Sequence, residues 1–360
     1  GEKYHNQIKA GIAECIPKLG KYELVYDEWG EAMKYDAFSK ILADIEHQGP
    51  EAVDIPASFF EQHADAELVM GSFTPFTGEN LSKLKNCHIL GVMRAGLENI
   101  HIEDATKNGI ALISAAGRNA NAVSDFAVGM MLSESRNIAR SNYQIRNGEW
   151  GKNFPNASCI PDMYGKTVGL FGFGQVGSRV AKKLSGFDVK ILVYDPFVKE
   201  EDMEKYHCCK VDKDTLFRES DYISVHARLT ADTFHVIGAD DFAKMKKTAY
   251  FINTARSGLV DYEALCSALE EKKIAGAAID VFDEEPLPQD SPFRRLDNVT
   301  LTAHLAGQTR DSSANTIRLV VNGFYDIIAN HNFERVINRQ VLETEEFKTW
   351  LAKAKEEMGI

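Results

Sequence analysis

VGLFGFGQVG, residues 168–177, decides the fold. Val168–Phe171 is a short apolar run of the length of a buried strand, and glycines follow at 172, 174 and 177. Val176, Val180, Ala181 and Leu184 then recur at helical spacing. A strand, a glycine turn and a helix in that order form the seat of a dinucleotide. Gly172 permits the tight turn, Gly174 lets a pyrophosphate reach the backbone, and Gly177 lets the helix lie close to the strand. The helix N-terminus supplies free N–H groups and the positive end of a dipole. A second apolar run, VKILVYD, ends at Asp195, eighteen residues beyond Gly177. A carboxylate there accepts hydrogen bonds from a ribose 2′-hydroxyl and repels a 2′-phosphate, so the expected cofactor is NAD rather than NADP. Gly165-Lys166-Thr167 looks like the end of a P-loop, but Ile160 stands where that motif needs glycine.

The alternation continues outward. DYISVH (221–226), AYFINTAR (249–256), IAGAAIDVF (274–282) and VTLTAH (299–304) read as strands, with helices over ADDFAKMK and YEALCSALEEKK between them. Short apolar runs separated by helices predict a parallel sheet covered on both faces. A long helix from Asn121 to about Gly148 precedes this unit, and another, from about Ser312 to Asn330, follows it. Earlier in the chain YELVYD, AELVMGSF, CHILGVM and GIALIS read as further strands, and after the second long helix only a short tail remains. The expected class is α/β: two Rossmann-like or flavodoxin-like domains with parallel sheets. A nucleotide-binding domain at 121–310 is inserted into a discontinuous substrate domain, 1–120 and 311–360.

The totals narrow the function. The 360 residues allow two cores, and the net charge of −12 argues against nucleic acid or an anionic membrane as partner. No apolar run approaches a membrane span, and GEKYHNQIKA lacks the apolar core of a signal peptide. The six cysteines show no metal spacing and read as reduced thiols of a cytoplasmic protein, so no metal is expected. Asn156-Ala157-Ser158 fits a glycosylation pattern by chance.

In an open parallel sheet, ligands bind at the carboxyl ends of the strands. Those ends leave the glycines, Asp195, His226, Arg256, Asp280 and His304, with Glu285 in the loop after Asp280. A sheet built only for structure has no need of polar residues gathered at one end of almost every strand. His226 reads as capping its strand or lining the cofactor pocket rather than as catalytic. His304 ends an apolar strand, so a buried ring there needs a partner.

MRAGLENI, GRNANAVSDFAVGMML, YGKTVGLFGFGQVG, INTARSGLVD, AAIDVFDEEPL and LTAHLAG together resemble the NAD-dependent D-2-hydroxyacid dehydrogenases, most closely the 3-phosphoglycerate dehydrogenase-like branch. The match runs from about Leu81 to Asn338. The resemblance implies catalytic roles for Arg256, Glu285 (rather than Glu284) and His304. It implies that Asp280 contacts the nicotinamide amide and that Arg94-Ala95-Gly96 holds the substrate carboxylate with Arg256. Cofactor contacts are expected at Gly172, Gly174, Gln175, Val176, Gly177, Asp195, His226, Ala255, Asp280 and His304. The family also implies a homodimer and the D configuration at C2. Arg228 stands where many members have Pro, Ser257 replaces a frequent Gly, and Asp125 stands where Glu is usual. Leu305-Ala306-Gly307-Gln308 replaces a more usual run with Ile and two small residues. Too few residues follow Asn338 for the regulatory domain of some phosphoglycerate enzymes, so serine feedback through it is not expected.

Three functions compete. The first is a dehydrogenase acting on a 2-hydroxy/2-oxo acid pair, either 3-phosphoglycerate/phosphohydroxypyruvate or the substrates of a glyoxylate/hydroxypyruvate reductase. The second is an NAD-binding regulatory module resembling the family's corepressors. The third, a formate dehydrogenase-like enzyme, is disfavoured by Glu285, since that branch pairs His with Gln.

Overall fold

The structure, a computed structural model, describes residues 48–357 throughout, and before them Ile12, Leu19, residues 23–29, Lys40, Ile41, Asp44 and Ile45. The chain divides into two compact units, Gly1–Arg118 with Arg310–Ile360, and Asn119–Thr309.

The Asn119–Thr309 unit is built on a seven-stranded sheet. Its strands are β4 (Thr167–Phe171), β5 (Lys190–Tyr194), β6 (Cys208–Lys210), β7 (Tyr222–Val225), β8 (Tyr250–Asn253), β9 (Gly276–Ile279) and β10 (Val299–Leu301). All pairs are parallel, in the order β10-β9-β8-β7-β4-β5-β6. The order reverses between β4 and β7, which creates a switch point at their carboxyl ends. Side chains alternate between two cores, as the two-residue period of a strand requires. Leu192, Ile223, Val225, Phe251 and Ile279 enter one core; Val168, Leu170, Ile191, Val193, Tyr222, Tyr250 and Ile252 enter the other. The helix Ala120–Ser135 packs on one face of the sheet. It is pinned by buried Glu134, which accepts from Arg140 Nη2 and Thr300 Oγ1, both at 2.6 Å. Burial pushes the Glu134 carboxyl upward against the pull of Arg140.

The other unit holds a three-stranded parallel sheet among its described residues, in the order β1 (Leu68–Gly71), β2 (Ile89–Val92), β3 (Ala111–Ser114). The helix Arg310–Asn330 lies so close to β2 that a Cβ on Gly91 would overlap Val320 and touch Phe324.

Four expectations need correction. The helix expected from Asn121 to Gly148 is two, Ala120–Ser135 and Ile138–Arg146, because Asn137 takes a left-handed conformation (φ 58°). Its amide donates to Asn156 Oδ1 at 2.7 Å, and a short polar side chain suits that conformation. YELVYD is not a strand in its described part, where Leu24 and Val25 are exposed; Tyr22 lies outside the described residues, as does Cys15. The supposed tail contains the helix Glu345–Glu357, which buries Phe347, Trp350 and Leu351 against Ile317, Val320 and Val321. Finally, β6 was not expected. Three residues leave no period to detect, and an edge strand is bonded on one side only.

Candidate active site

The glycines meet the steric demands of the turn. Gly172 has φ 99°, and a Cβ there would lie 2.6 Å from Ala227 N. A Cβ on Gly177 would overlap the Gly172 carbonyl, whereas Gly174 has nothing within 4 Å. The first and third glycines are therefore required by packing, and the second borders open space. Gln175 Oε1 accepts from Arg179 Nη1 at 2.8 Å, and Val176 caps the helix Gly177–Leu184.

Asp195 follows β5 with its carboxylate already engaged. Oδ2 accepts from Phe173 N at 2.8 Å, and Oδ1 from Phe197 N at 2.9 Å and Val198 N at 3.1 Å. A carboxylate offers about four lone-pair sites, so Asp195 fixes the glycine turn and its own loop with most of its capacity.

His226 follows β7 across the switch point, its N–H bonded to Phe171 O at 2.7 Å. The residue is partly exposed, but both ring nitrogens are buried without a hydrogen-bond partner. Burial pushes the imidazole down to about 3. It is neutral at physiological pH.

At the end of β8, fully buried Asn253 shapes the turn that carries Arg256. Its Oδ1 accepts from Ala255 N at 3.0 Å, and its Nδ2 donates to Arg256 O and Tyr262 Oη, both at 3.1 Å. Tyr262 in turn donates to Val281 O at 2.7 Å, which ties this turn to the end of β9. The Arg256 side chain is exposed, with Nη1 donating to Ala255 O at 2.8 Å.

The ends of β9 and β10 carry an imidazole–carboxylate pair. His304 Nδ1 lies 2.8 Å from Glu285 Oε2, with the two side chains 45% and 37% exposed. The ring expected to be buried is thus half-exposed and partnered. Glu285 Oε1 accepts from Phe282 N at 3.0 Å, so its carboxylate is held too. Asp280, expected against the nicotinamide amide, is 0% exposed. Its oxygens accept from Thr302 Oγ1 at 2.6 Å, Leu305 N at 2.8 Å and Ala306 N at 2.9 Å.

In the other unit, the Arg94 side chain is only 12% exposed. Its guanidinium lies over the Phe73 ring, 4.3 Å from the centroid, with Nη2 3.9 Å from Glu98 Oε2. Arg94 O accepts from Ala115 N, and the Glu98 carboxylate crowds the position of a Cβ on Gly96.

Residues 128–306 match the family described as "D-isomer specific 2-hydroxyacid dehydrogenase, NAD binding domain". A glyoxylate reductase of Thermofilum pendens is 39% identical over 268 residues, covering 74% of this chain and 79% of that protein. The chain belongs to the D-isomer-specific 2-hydroxyacid dehydrogenases. A D-3-phosphoglycerate dehydrogenase of Archaeoglobus fulgidus is 34% identical over 282 residues, 78% of this chain but only 53% of that one. The chain therefore spans about half the length of that relative. The solved D-lactate dehydrogenase of Lactobacillus jensenii with NAD+ superposes with a TM-score of 0.68 at 27% identity, covering 79% of this chain and 90% of that one.

This dehydrogenase is thus an NAD-linked oxidoreductase that moves a hydride between the cofactor and a hydroxy/oxo acid pair. Its residues fit that cofactor: a tight glycine turn with open space at Gly174, at a switch point, before a helix N-terminus. Two residues that shape the rim, Asn253 and Tyr262, escape a reading of the sequence. A polar residue ending an otherwise apolar run, as Asn253 does in INTAR, is the signal that could have found the first.

Proposed function

We propose that this dehydrogenase interconverts a short, unphosphorylated 2-oxo acid such as glyoxylate or hydroxypyruvate with its D-2-hydroxy acid. The single observation that carries the catalytic reading is the 2.8 Å contact between His304 Nδ1 and Glu285 Oε2. An ionised carboxylate only accepts, so Nδ1 bears the hydrogen and Nε2 is left to exchange a proton with the oxygen on C2. Arg256 keeps donors for a bidentate grip on the substrate carboxylate. Arg94, Ala95 and Gly96 are also assigned to the substrate. Bound NADH supplies the hydride. Gly172, Gly174, Gln175, Val176, Gly177, Asp195, His226 and Ala255 are assigned to the cofactor.

Two observations favour an unphosphorylated substrate. The glyoxylate reductase is 39% identical to this chain and the phosphoglycerate enzyme 34%. The Arg94 guanidinium already has an aromatic face and a carboxylate beside it, which weakens its pull on a phosphate. The test is NADH absorbance loss against glyoxylate, hydroxypyruvate, pyruvate and phosphohydroxypyruvate, repeated with NADPH. The expected result is faster turnover of the first two, with NADH preferred; preference for phosphohydroxypyruvate would reject the substrate assignment.

The protein is proposed to work as a homodimer. The helix Ile138–Arg146 buries none of its nine residues. Ile138, Tyr143 and Ile145 on it, and Trp150, Ile160 and Tyr164 beyond it, are exposed. So much exposed apolar surface in one segment suits a second copy. Trp150→Asp with Tyr143→Asp is expected to shift the sedimentation mass from two chains to one at micromolar concentration. A wild type that sediments as a single chain would contradict this. A reducing compartment, the cytoplasm, suits the five free thiols among the described residues.

A further inference from the structure

We infer that Arg179 is a further cofactor-binding residue, one that sets its guanidinium charge beside the NADH pyrophosphate. The inference rests on the assignment of the glycine turn to the cofactor, and not on which 2-oxo acid reacts. Arg179 lies in the first turn of the helix Gly177–Leu184. Long side chains on a helix lean back toward its N-terminus, and this one reaches the glycine turn. Its Nη1 donates to Gln175 O at 2.6 Å and to Gln175 Oε1 at 2.8 Å, between the second glycine and the third. Its Nε donates to Asn121 Oδ1 at 3.0 Å. All three acceptors are neutral, and no carboxylate of the described residues pairs with Arg179. Lys183, one turn further along the same helix, differs: its Nζ meets Asp125 Oδ1 at 2.7 Å. The cation nearer the helix N-terminus is thus held in place with its charge uncompensated, while the farther one is neutralised. These bonds leave Nη2 for a ligand, and a fixed guanidinium suits the paired oxygens of a phosphate. The open space at Gly174 adjoins the residue that Arg179 holds. A doubly anionic pyrophosphate must also approach a chain of net charge −12, so a local cation has a repulsion to offset.

The test compares wild type with Arg179→Met, which keeps an unbranched stem without the charge, and with Arg179→Lys, which keeps the charge without the fork. NADH binding is read by fluorescence titration without substrate, and ADP and adenosine by their competition with NADH. Arg179→Met is expected to weaken NADH and ADP by about 5–20-fold at low salt, the range of a charge-assisted hydrogen bond at a partly exposed site. Adenosine, which has no phosphate, should bind both proteins alike. At about 1 M salt, where charges are screened beyond about 3 Å, the NADH gap should shrink to about twofold. Arg179→Lys should recover most of the affinity. Equal losses for adenosine and ADP, or a gap that salt leaves unchanged, would mean that Arg179 only shapes the turn through Gln175, and would overturn the inference. Unaltered NADH affinity in Arg179→Met would overturn it as well. Should Arg179→Met not fold, Arg179→Gln carries the same comparison. A wild type that binds ADP no better than adenosine would reject the phosphate seat as a whole, whereas a normal wild type beside an unaffected variant rejects Arg179 alone.

Discussion

Replacing His304 by Gln is expected to lower turnover by about 10²–10⁴-fold, the range lost with a general acid–base group, and to leave NADH binding near that of wild type. Glutamine can keep a hydrogen bond to Glu285, so the rim keeps its shape. It cannot accept and return a proton at the oxygen on C2. The loss should therefore appear in the chemical step, with NADH affinity retained because the glycine turn, Asp195 and β4 belong to other elements of the sheet. Steady-state absorbance and a fluorescence titration measure the two quantities on one preparation. Turnover within a few-fold of wild type would move the proton exchange elsewhere.

Acid should destabilise the fold through His226. Its imidazole is lowered from 6.5 to about 3 by burial, and neither nitrogen has a partner. A group whose folded pKa is depressed in this way binds fewer protons folded than unfolded. Its contribution is fully present above about pH 6.5 and is lost as pH falls toward 3. At about 1.36 kcal/mol per pH unit, the loss between pH 7 and pH 4 is about 3 kcal/mol. In urea melts across that range, the stability gap between wild type and His226→Gln should close by about that amount on acidification. Parallel pH dependences would show that the imidazole is not held neutral by the fold. The same neutrality suits a ring beside a bound dinucleotide, where it can donate from one nitrogen without bringing a charge.

How much of this was legible depends on how local each signal is. The strand, the glycine turn after it and the helix beyond lie within seventeen residues, Val168 to Leu184, and their spacing alone carries the steric argument that the coordinates restate. The polar residues at strand ends were legible for the same reason, since an apolar run that stops at Arg, Asp or His marks its own end. What those residues touch was not. Asp280 is bonded to residues 302–306, and Asn253 is bonded to Tyr262, which reaches back to Val281. Nothing in a linear pattern separates a carboxylate that faces a cofactor from one that holds a neighbouring loop. Asp195 shows the same limit: eighteen residues past Gly177 it stands where a ribose acid is expected, yet three backbone N–H groups already use it. The break at Asn137 was hidden because asparagine also occurs inside helices, and its side-chain bonds to Asn156 and Arg140 leave no mark in a linear pattern.

The most direct test of the whole reading follows the hydride itself. With NADH carrying two deuterium atoms at C4 of the nicotinamide and hydroxypyruvate as acceptor, the expected product is D-glycerate carrying deuterium at C2, one equivalent for each NADH consumed. L-glycerate, or no consumption of NADH with hydroxypyruvate, glyoxylate or any other 2-oxo acid tried, would contradict it.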